Sequence, residues 1–299
     1  MKLDGLHLLL TYQCTFECDH CFVFGSPFQT GTLTIEKIRN ILKQAKDAGS
    51  IEWIYFEGGE PFLYYQTMLA GIDAAAETGF KVGIVTNSYW ATSEEDALLW
   101  MKPLAGKVDD FTISSDLFHF SEKISQQSKI VNHVAEQLNI PVGMICIELP
   151  EYNAIATIGQ IPPESVSIMY RGRAAVKLAS TATLYPVKLF TSCPHENLTD
   201  PGRIHVDPLG NLHICQGLVI GNLFDTPIKE ICNNYVATSH PIIGSLLEGG
   251  PIKLVEEYGL EHADYYADAC HLCFEARKLL RDRFPLILGP DQMYCVPGE

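Results

Sequence analysis

Three cysteines near the N-terminus are the residues whose types and spacing point most directly to chemistry. They stand in Cys14-Thr15-Phe16-Glu17-Cys18-Asp19-His20-Cys21, a C-x3-C-x2-C array. Thiolates bind soft metals and iron–sulfur clusters. A [4Fe–4S] cube ordinarily takes four thiolates, so three close together leave one iron open to a ligand from outside the protein. The plainer alternative is zinc, which takes four tetrahedral ligands, often in paired C-x2-C or Cys/His sets. In this array zinc has no nearby fourth partner unless His20 serves.

A second set lies far along the chain: Cys193, the G-x4-C element Gly210-Asn211-Leu212-His213-Ile214-Cys215, and Cys270-His271-Leu272-Cys273. Four thiolates brought together there can close round one metal centre, either a structural zinc or a fully ligated cluster. The sequence has ten cysteines and no recognisable export signal. The apolar run Leu6–Leu10 is short, leads straight into the first cysteines, and reads as a strand. The expected compartment is the cytoplasm, where metal ligation accounts for such cysteines better than disulfides do. Cys146, inside a strand, and Cys232, inside a helix, are expected to be buried and inert. The spacing does not decide whether Cys295 replaces one of the four.

The elements that must position these groups alternate. Candidate strands are Leu6–Gln13, Ile51–Glu57, Lys81–Thr86, Asp109–Ser114, Val142–Leu149 and Ser165–Tyr170, short and rich in Ile, Val and aromatic residues as buried parallel strands are. Between them the pattern predicts helices over Thr34–Ala48, Tyr65–Thr78, Ser93–Leu104 and Ser121–Leu138, with Thr34 as an N-cap and Gly49 and Gly79 as C-caps. Repeated β-α units imply a parallel sheet, and six fit a partial (β/α)6 TIM-like barrel over residues 1–174. Residues 175–299 read as a small α+β region. It holds a β-hairpin over Arg203–Asp207 and Leu212–Cys215 and helices around Pro227–Tyr235 and Cys273–Arg283. In such sheets reacting groups lie beyond the C-terminal strand ends. The cysteines, Gly58–Pro61, Asn87 and Asp116 all fall there.

The cysteine triplet and Phe56-Glu57-Gly58-Gly59-Glu60-Pro61 after the second strand resemble the radical S-adenosylmethionine (SAM) superfamily and its GGEP element. The resemblance covers nearly the whole chain. It implies that the open iron takes the amino and carboxylate groups of SAM. The reduced cluster then cleaves SAM to a 5′-deoxyadenosyl radical that abstracts a substrate hydrogen. It further implies SAM contacts from His20 beside the adenine, from Gly58, Gly59, Glu60 and Pro61 with Glu60 accepting from the SAM ammonium, and from Asn87, Ser114 and Asp116. Tyr170-Arg171-Gly172-Arg173-Ala174 resembles a GRA-type junction, with Arg171 pairing the SAM carboxylate. The second set resembles a twitch subdomain, a shortened SPASM extension, in which Cys193, Cys215, Cys270 and Cys273 hold one auxiliary [4Fe–4S] cluster. The long gap from Cys193 to Gly210 departs from SPASM sequences, and the missing C-x5-C-x3-C continuation argues against a second auxiliary cluster.

An auxiliary cluster favours net oxidation of the substrate. The first expectation is maturation of a ribosomally made peptide. The second is dehydrogenation of a small polar metabolite such as an aminoglycoside or sugar alcohol. A non-catalytic iron–sulfur carrier explains neither the GGEP-like element nor the barrel. Asp116, His119, Glu148 and Tyr170, near strand ends, are candidate proton acceptors, and the class implies a flavodoxin or ferredoxin reductant. A formal net charge of −15 argues against a nucleic-acid partner. The basic run Arg277, Lys278, Arg281, Arg283 reads as one solvated helix face, and no apolar stretch is long enough for a membrane span.

Overall fold

The computed structural model describes residues 1–114, 122–148 and 165–295, without side chains for 122–125, 146–148 and 165–167. Asp116 and His119, and the side chains of Glu148 and Cys146, therefore lie outside the described residues. Six strands follow one another in parallel order: β1 (Leu3–Thr11), β2 (Trp53–Gly58), β3 (Lys81–Thr86), β4 (Asp110–Ser114), β5 (Val142–Glu148) and β6 (Ser165–Ser167). Helices α1 (Ile35–Ala48), α2 (Tyr65–Thr78), α3 (Glu94–Met101) and α4 (Glu122–Gln137) connect them up to β5. This is the expected barrel-like α/β sheet.

Local chemistry accounts for these elements. In β1, Leu8, Leu9 and Leu10 are all buried, the continuous apolar run that a strand covered on both faces requires. In α1, the Thr34 hydroxyl accepts from Lys37 N–H and Gly49 closes the helix in the left-handed conformation. Ile38, Ile41, Leu42 and Ala45 recur at helical spacing and are its buried stripe. β1 stops at Thr11, two residues before the expected end, because the Thr11 hydroxyl accepts from Gln13 N–H at 3.0 Å and turns the chain. α3 ends at Met101 rather than Leu104: Pro103, which has no N–H to continue the ladder, sits in a 3-10 turn.

Beyond β6 come α5 (Arg173–Lys177) and β7 (Tyr185–Pro186), followed by β8 (Gly202–Val206), β9 (Asn211–Cys215) and β10 (Leu218–Asn222). After these come α6 (Ile228–Asn234), α7 (Ile243–Tyr258), β11 (Tyr265–Tyr266) and α8 (Ala269–Leu280). β7 and β11 form a separate antiparallel pair. The expected hairpin is present as β8 and β9, but it is not set apart from the barrel. β8 pairs parallel with the free edge of β1, His7 opposite His205, so the sheet order is β10-β9-β8-β1-β2-β3-β4-β5-β6. Side chains from β1 to β5 and from β8 face one cavity of about 710 Å3, so the sheet curls round it. α7 has no clean sequence signature because Gly249-Gly250-Pro251 breaks it, with Gly250 at φ 72° against the backbone of Ser192.

One buried carboxylate fastens the hairpin to β1. Asp207 is wholly inaccessible and accepts from Tyr12 Oη at 2.8 Å and from the backbone N–H groups of Leu209 and Asn211. His213 Nε2 lies 3.0 Å from Oδ2. Burial opposes ionisation, but His213 and the Asn211 donors outweigh it and hold the Asp207 carboxyl below its ordinary range. Its folded pKa lies below its unfolded one, so its stabilisation is complete above about pH 5 and is lost as pH falls through the folded pKa. Asp207→Asn is expected to cost about 3–5 kcal/mol at pH 7 and to flatten the acid limb of stability against pH. Urea melts of both proteins from pH 3 to 7 check this. Parallel acid limbs would remove Asp207 as the group responsible.

Candidate active site

The first cysteine loop leaves the C-terminal end of β1 and is braced from three sides. From β2, Gly59 N–H donates to Thr11 O at 2.7 Å and Glu60 N–H to Gln13 O at 2.8 Å. A Cβ on Gly58 would lie 2.4 Å from Thr11 O, and one on Gly59 2.1 Å from Gln13 O. The two glycines are thus required by backbone lying on backbone. Glu60 is fully buried. Its carboxylate accepts from Phe62 N–H, from Thr86 Oγ1–H at 2.8 Å and from Asn87 N–H at 2.8 Å. Glu60 therefore locks the ends of β2 and β3 together. Pro61 is buried at the start of the short helical turn that Glu60 caps.

From β3, Asn87 Nδ2 reaches Thr15 Oγ1 at 3.2 Å and Cys14 Sγ at 3.5 Å. From the junction after β6, Arg173 donates to Cys18 O and Gly25 O, both at 2.7 Å, while its N–H donates to Cys21 O. Gly172 fits because a Cβ there would lie 2.6 Å from Phe22 Cα. Arg173, which the sequence places in the junction with no role of its own, is thus the residue that clamps the loop. Arg171 is buried and pairs with Glu196 at 2.8 Å, its Nη1 also 3.5 Å from Cys215 Sγ. It stands at the second cysteine set and also lines the cavity that His20 and Phe22 face.

Residues around the 710 Å3 cavity include His20 and Phe22 of the cysteine loop, Arg171, and the lumen residues His7, Glu57 and His205. Tyr170 is not among the residues that line it; it is buried in a small cluster with Ile168, Ala174, Ala179 and Ala267. Ser114 is the last residue of β4 and is half-buried opposite Ile145. Burial of Glu57 opposes its ionisation, yet His7 and His205 beside it hold the carboxyl well below the carboxylate range. Burial pushes the His205 imidazole down.

The second set is brought together. Cys193, Cys215, Cys270 and Cys273 line one small cavity with Arg171, Glu196 and Arg277. Cys215 ends β9, while Cys270 and Cys273 occupy the start of α8, which Asp268 caps by accepting from His271 N–H at 2.7 Å. Arg277 is not on a solvated face: it is fully buried and donates to Gln216 O at 2.7 Å. The reason is that α8 turns this face toward the thiols. Cys295 is exposed and does not line this cavity, and Cys232 is half-buried.

The donor sets fit metal ligation. All seven cysteines are free thiols. Gly25 N–H donates to Cys21 Sγ at 3.2 Å, and Asn87 approaches Cys14 Sγ, the N–H···S contacts that tune iron–sulfur clusters. Burial pushes the Cys14 thiol up to about 12 and the Cys273 thiol up to about 11, and pushes Cys270 up further. As free thiols they stay protonated at neutral pH, and a metal must displace those protons. Two buried guanidinium groups, Arg171 and Arg277, stand ready to offset the negative charge of a tetrathiolate centre.

A curled parallel sheet carries a three-cysteine loop at the end of its first strand, and similarity to known proteins bears on what that arrangement is. Residues 8–137 match the Radical SAM superfamily. The chain is 26% identical over 137 residues to the putative peptide biosynthesis protein YydG of Bacillus subtilis (strain 168), covering 45% of this chain and 43% of that protein. It is 30% identical over 111 residues to the S-adenosylmethionine-dependent nucleotide dehydratase of Selenomonas ruminantium, covering 37% and 38%. The matches thus span less than half the length of these curated relatives. Among solved structures, methylornithine synthase aligns with a TM-score of 0.41 at 13% identity over 56% of this chain and 54% of that one. HydG, a maturase of the [FeFe]-hydrogenase, aligns with a TM-score of 0.38 at 16% identity over 48% and 35%. Residues 8–137 form a radical SAM superfamily domain, which implies a [4Fe–4S] cluster and SAM. Among the described residues no helix is long and apolar enough to cross a membrane.

Two substitutions test the bracing of the loop. Arg173→Lys keeps the charge but loses the forked geometry, and is expected to lower iron retained at the first cysteine set several-fold. Unchanged iron per chain would show that the loop holds itself. Gly59→Ala is expected to destabilise by about 3 kcal/mol or more, since the clash is with backbone and cannot be relieved by a side-chain rotation. A melting temperature equal to the parent's would contradict the close approach.

Proposed function

We propose that the chain is a radical SAM oxidoreductase that binds its substrate in the barrel cavity. The observation that carries the reading is the braced loop of Cys14, Cys18 and Cys21 at the mouth of that cavity, with His20 and Phe22 lining it. When bound, the [4Fe–4S] cluster and SAM supply one-electron cleavage to a 5′-deoxyadenosyl radical. The protein contributes the rest. Arg173, Asn87 and Gly25 orient the cysteine loop, Glu60 holds the strand ends that support it, and the curled sheet shields the reaction from bulk water.

Cys193, Cys215, Cys270 and Cys273 would hold one auxiliary [4Fe–4S] cluster, which would supply an acceptor for the electron of the substrate radical. One observation supports a cluster over zinc: Arg171 lines both cavities, so the second centre stands beside the substrate space. A flavodoxin or ferredoxin is the proposed reductant.

The substrate is a ribosomally made peptide, supported by the name of the Bacillus relative. A second reading, dehydrogenation of a small polar metabolite, is favoured by the cavity itself. At about 710 Å3 it suits a compact molecule, and Arg203, Asp110, Tyr55 and Glu57 give it a polar wall. Anaerobic reduction with SAM is expected to release 5′-deoxyadenosine, and Cys14→Ala to abolish it. A reduced, iron-loaded protein that leaves SAM intact would overturn the enzymatic reading. About eight irons per chain is expected for two clusters, while about four irons and one zinc would remove the auxiliary cluster.

A further inference from the structure

The lumen of the barrel holds a second convergence of ligand-type side chains, separate from both cysteine sets. His7 on β1, Glu57 on β2 and His205 on β8 come from three adjacent strands. Their register, with His7 opposite His205 and Leu9 opposite Glu57, sets all three on the inner face. His7 Nδ1 lies 3.3 Å and His205 Nε2 3.0 Å from the same oxygen, Glu57 Oε1. The three ligand atoms all lie within 4.8 Å of one another. Glu57 Oε1 is buried, and no donor meets full hydrogen-bond geometry to it. Two imidazole nitrogens thus converge on one buried carboxylate oxygen, whose charge is met either by protonated rings or by a shared cation.

We infer that His7, Glu57 and His205 bind a divalent first-row transition metal in the barrel lumen. Two imidazoles and one carboxylate are a donor set used for zinc and for non-haem iron, where they leave coordination positions open. The observed separations of 3.0 and 3.3 Å are the edges of a tetrahedron or octahedron whose centre is about 2.1 Å from each ligand. The His7 ring is fixed from behind. It stacks on Tyr55 at 4.5 Å, and Tyr55 Oη donates to Asp110 Oδ2 at 2.8 Å. Such outer contacts orient a ligating imidazole. The His205 ring packs against Phe22 of the first cysteine loop at 5.8 Å. The open positions face the cavity, where the ligand they suit is an oxygen donor of the substrate. The metal would thereby fix the substrate within the barrel. The site stands without the proposed SAM chemistry.

The test is Co2+ binding to the full chain, purified anaerobically with its iron–sulfur content intact and freed of loosely held metal. About one equivalent of Co2+ is expected, with d–d bands of nitrogen and oxygen ligation and no thiolate charge-transfer band. Glu57→Gln and His205→Asn are each expected to weaken binding by about 100-fold or more, since changes to outer contacts alone cost 10–100-fold. Three outcomes overturn the site: no Co2+ uptake by the parent chain, uptake with thiolate charge transfer, or equal uptake by both variants. The spectrum of the parent decides the matter even if a variant fails to fold. Release of 5′-deoxyadenosine, measured on the same samples, reports separately on the cysteine loop.

Discussion

Everything that carries chemistry in this chain depends on β1 being paired on both edges. In a plain partial barrel the first strand is an edge, and its backbone donors and acceptors need cover. Here β8 takes that edge in parallel, while β2 takes the other. The cysteine loop leaves the end of β1, the Gly58-Gly59 turn leaves the end of β2, and Asp207 leaves the end of β8 to reach Tyr12 just past β1. Three strand ends thus converge on one loop. Its position follows from sheet register rather than from the flexibility of a surface segment.

The same pairing ties the second cysteine set to the first. Cys215 ends β9, which is hydrogen-bonded to β8, which lies on β1. The distance between the sets is further held by two residues that flank Gly172 and serve different sets. Arg173 clamps carbonyls of the first loop, and Arg171 pairs with Glu196 beside the second set. Buried guanidinium groups are costly without partners. Their placement in a chain of net charge −15 is therefore informative. The buried Arg171 and Arg277 both stand where thiolates would bring negative charge into the interior.

Much of the barrel was legible because its signals are local. β3 and α2 match the expected bounds residue for residue, and Thr34 caps α1 as read. The triplet and the GGEP-like element were legible because their spacing is short. Other features depend on partners distant in sequence. Nothing near Arg203–Asp207 says that this strand will pair with β1, so the hairpin read as part of a separate region. Arg277 looked solvated because its neighbours Lys278, Arg281 and Arg283 share its charge, and only the packing of α8 against Gln216 reverses that. His7, Glu57 and His205 went unremarked, since each is a single residue in a strand and only the sheet register unites them.

The GGEP-like element shows how a motif read for its ligand contacts also carries the packing of the strand ends. Gly58 and Gly59 are expected to contact SAM. In the fold the room they make is for Thr11 O and Gln13 O, which any Cβ would strike. Glu60 read as an acceptor for an ammonium group. In the fold it receives Phe62, Thr86 and Asn87, so an acidic side chain becomes the knot between two strand ends. The Asn87 thus held in place is the residue whose amide reaches Cys14 Sγ and Thr15 Oγ1. Glu60 therefore acts on the cysteine loop through Asn87 and through its own N–H on Gln13 O. A reactive centre that must hold a radical precursor against one substrate hydrogen needs rigidity of this kind, and a buried carboxylate held by several donors supplies it more firmly than an exposed one.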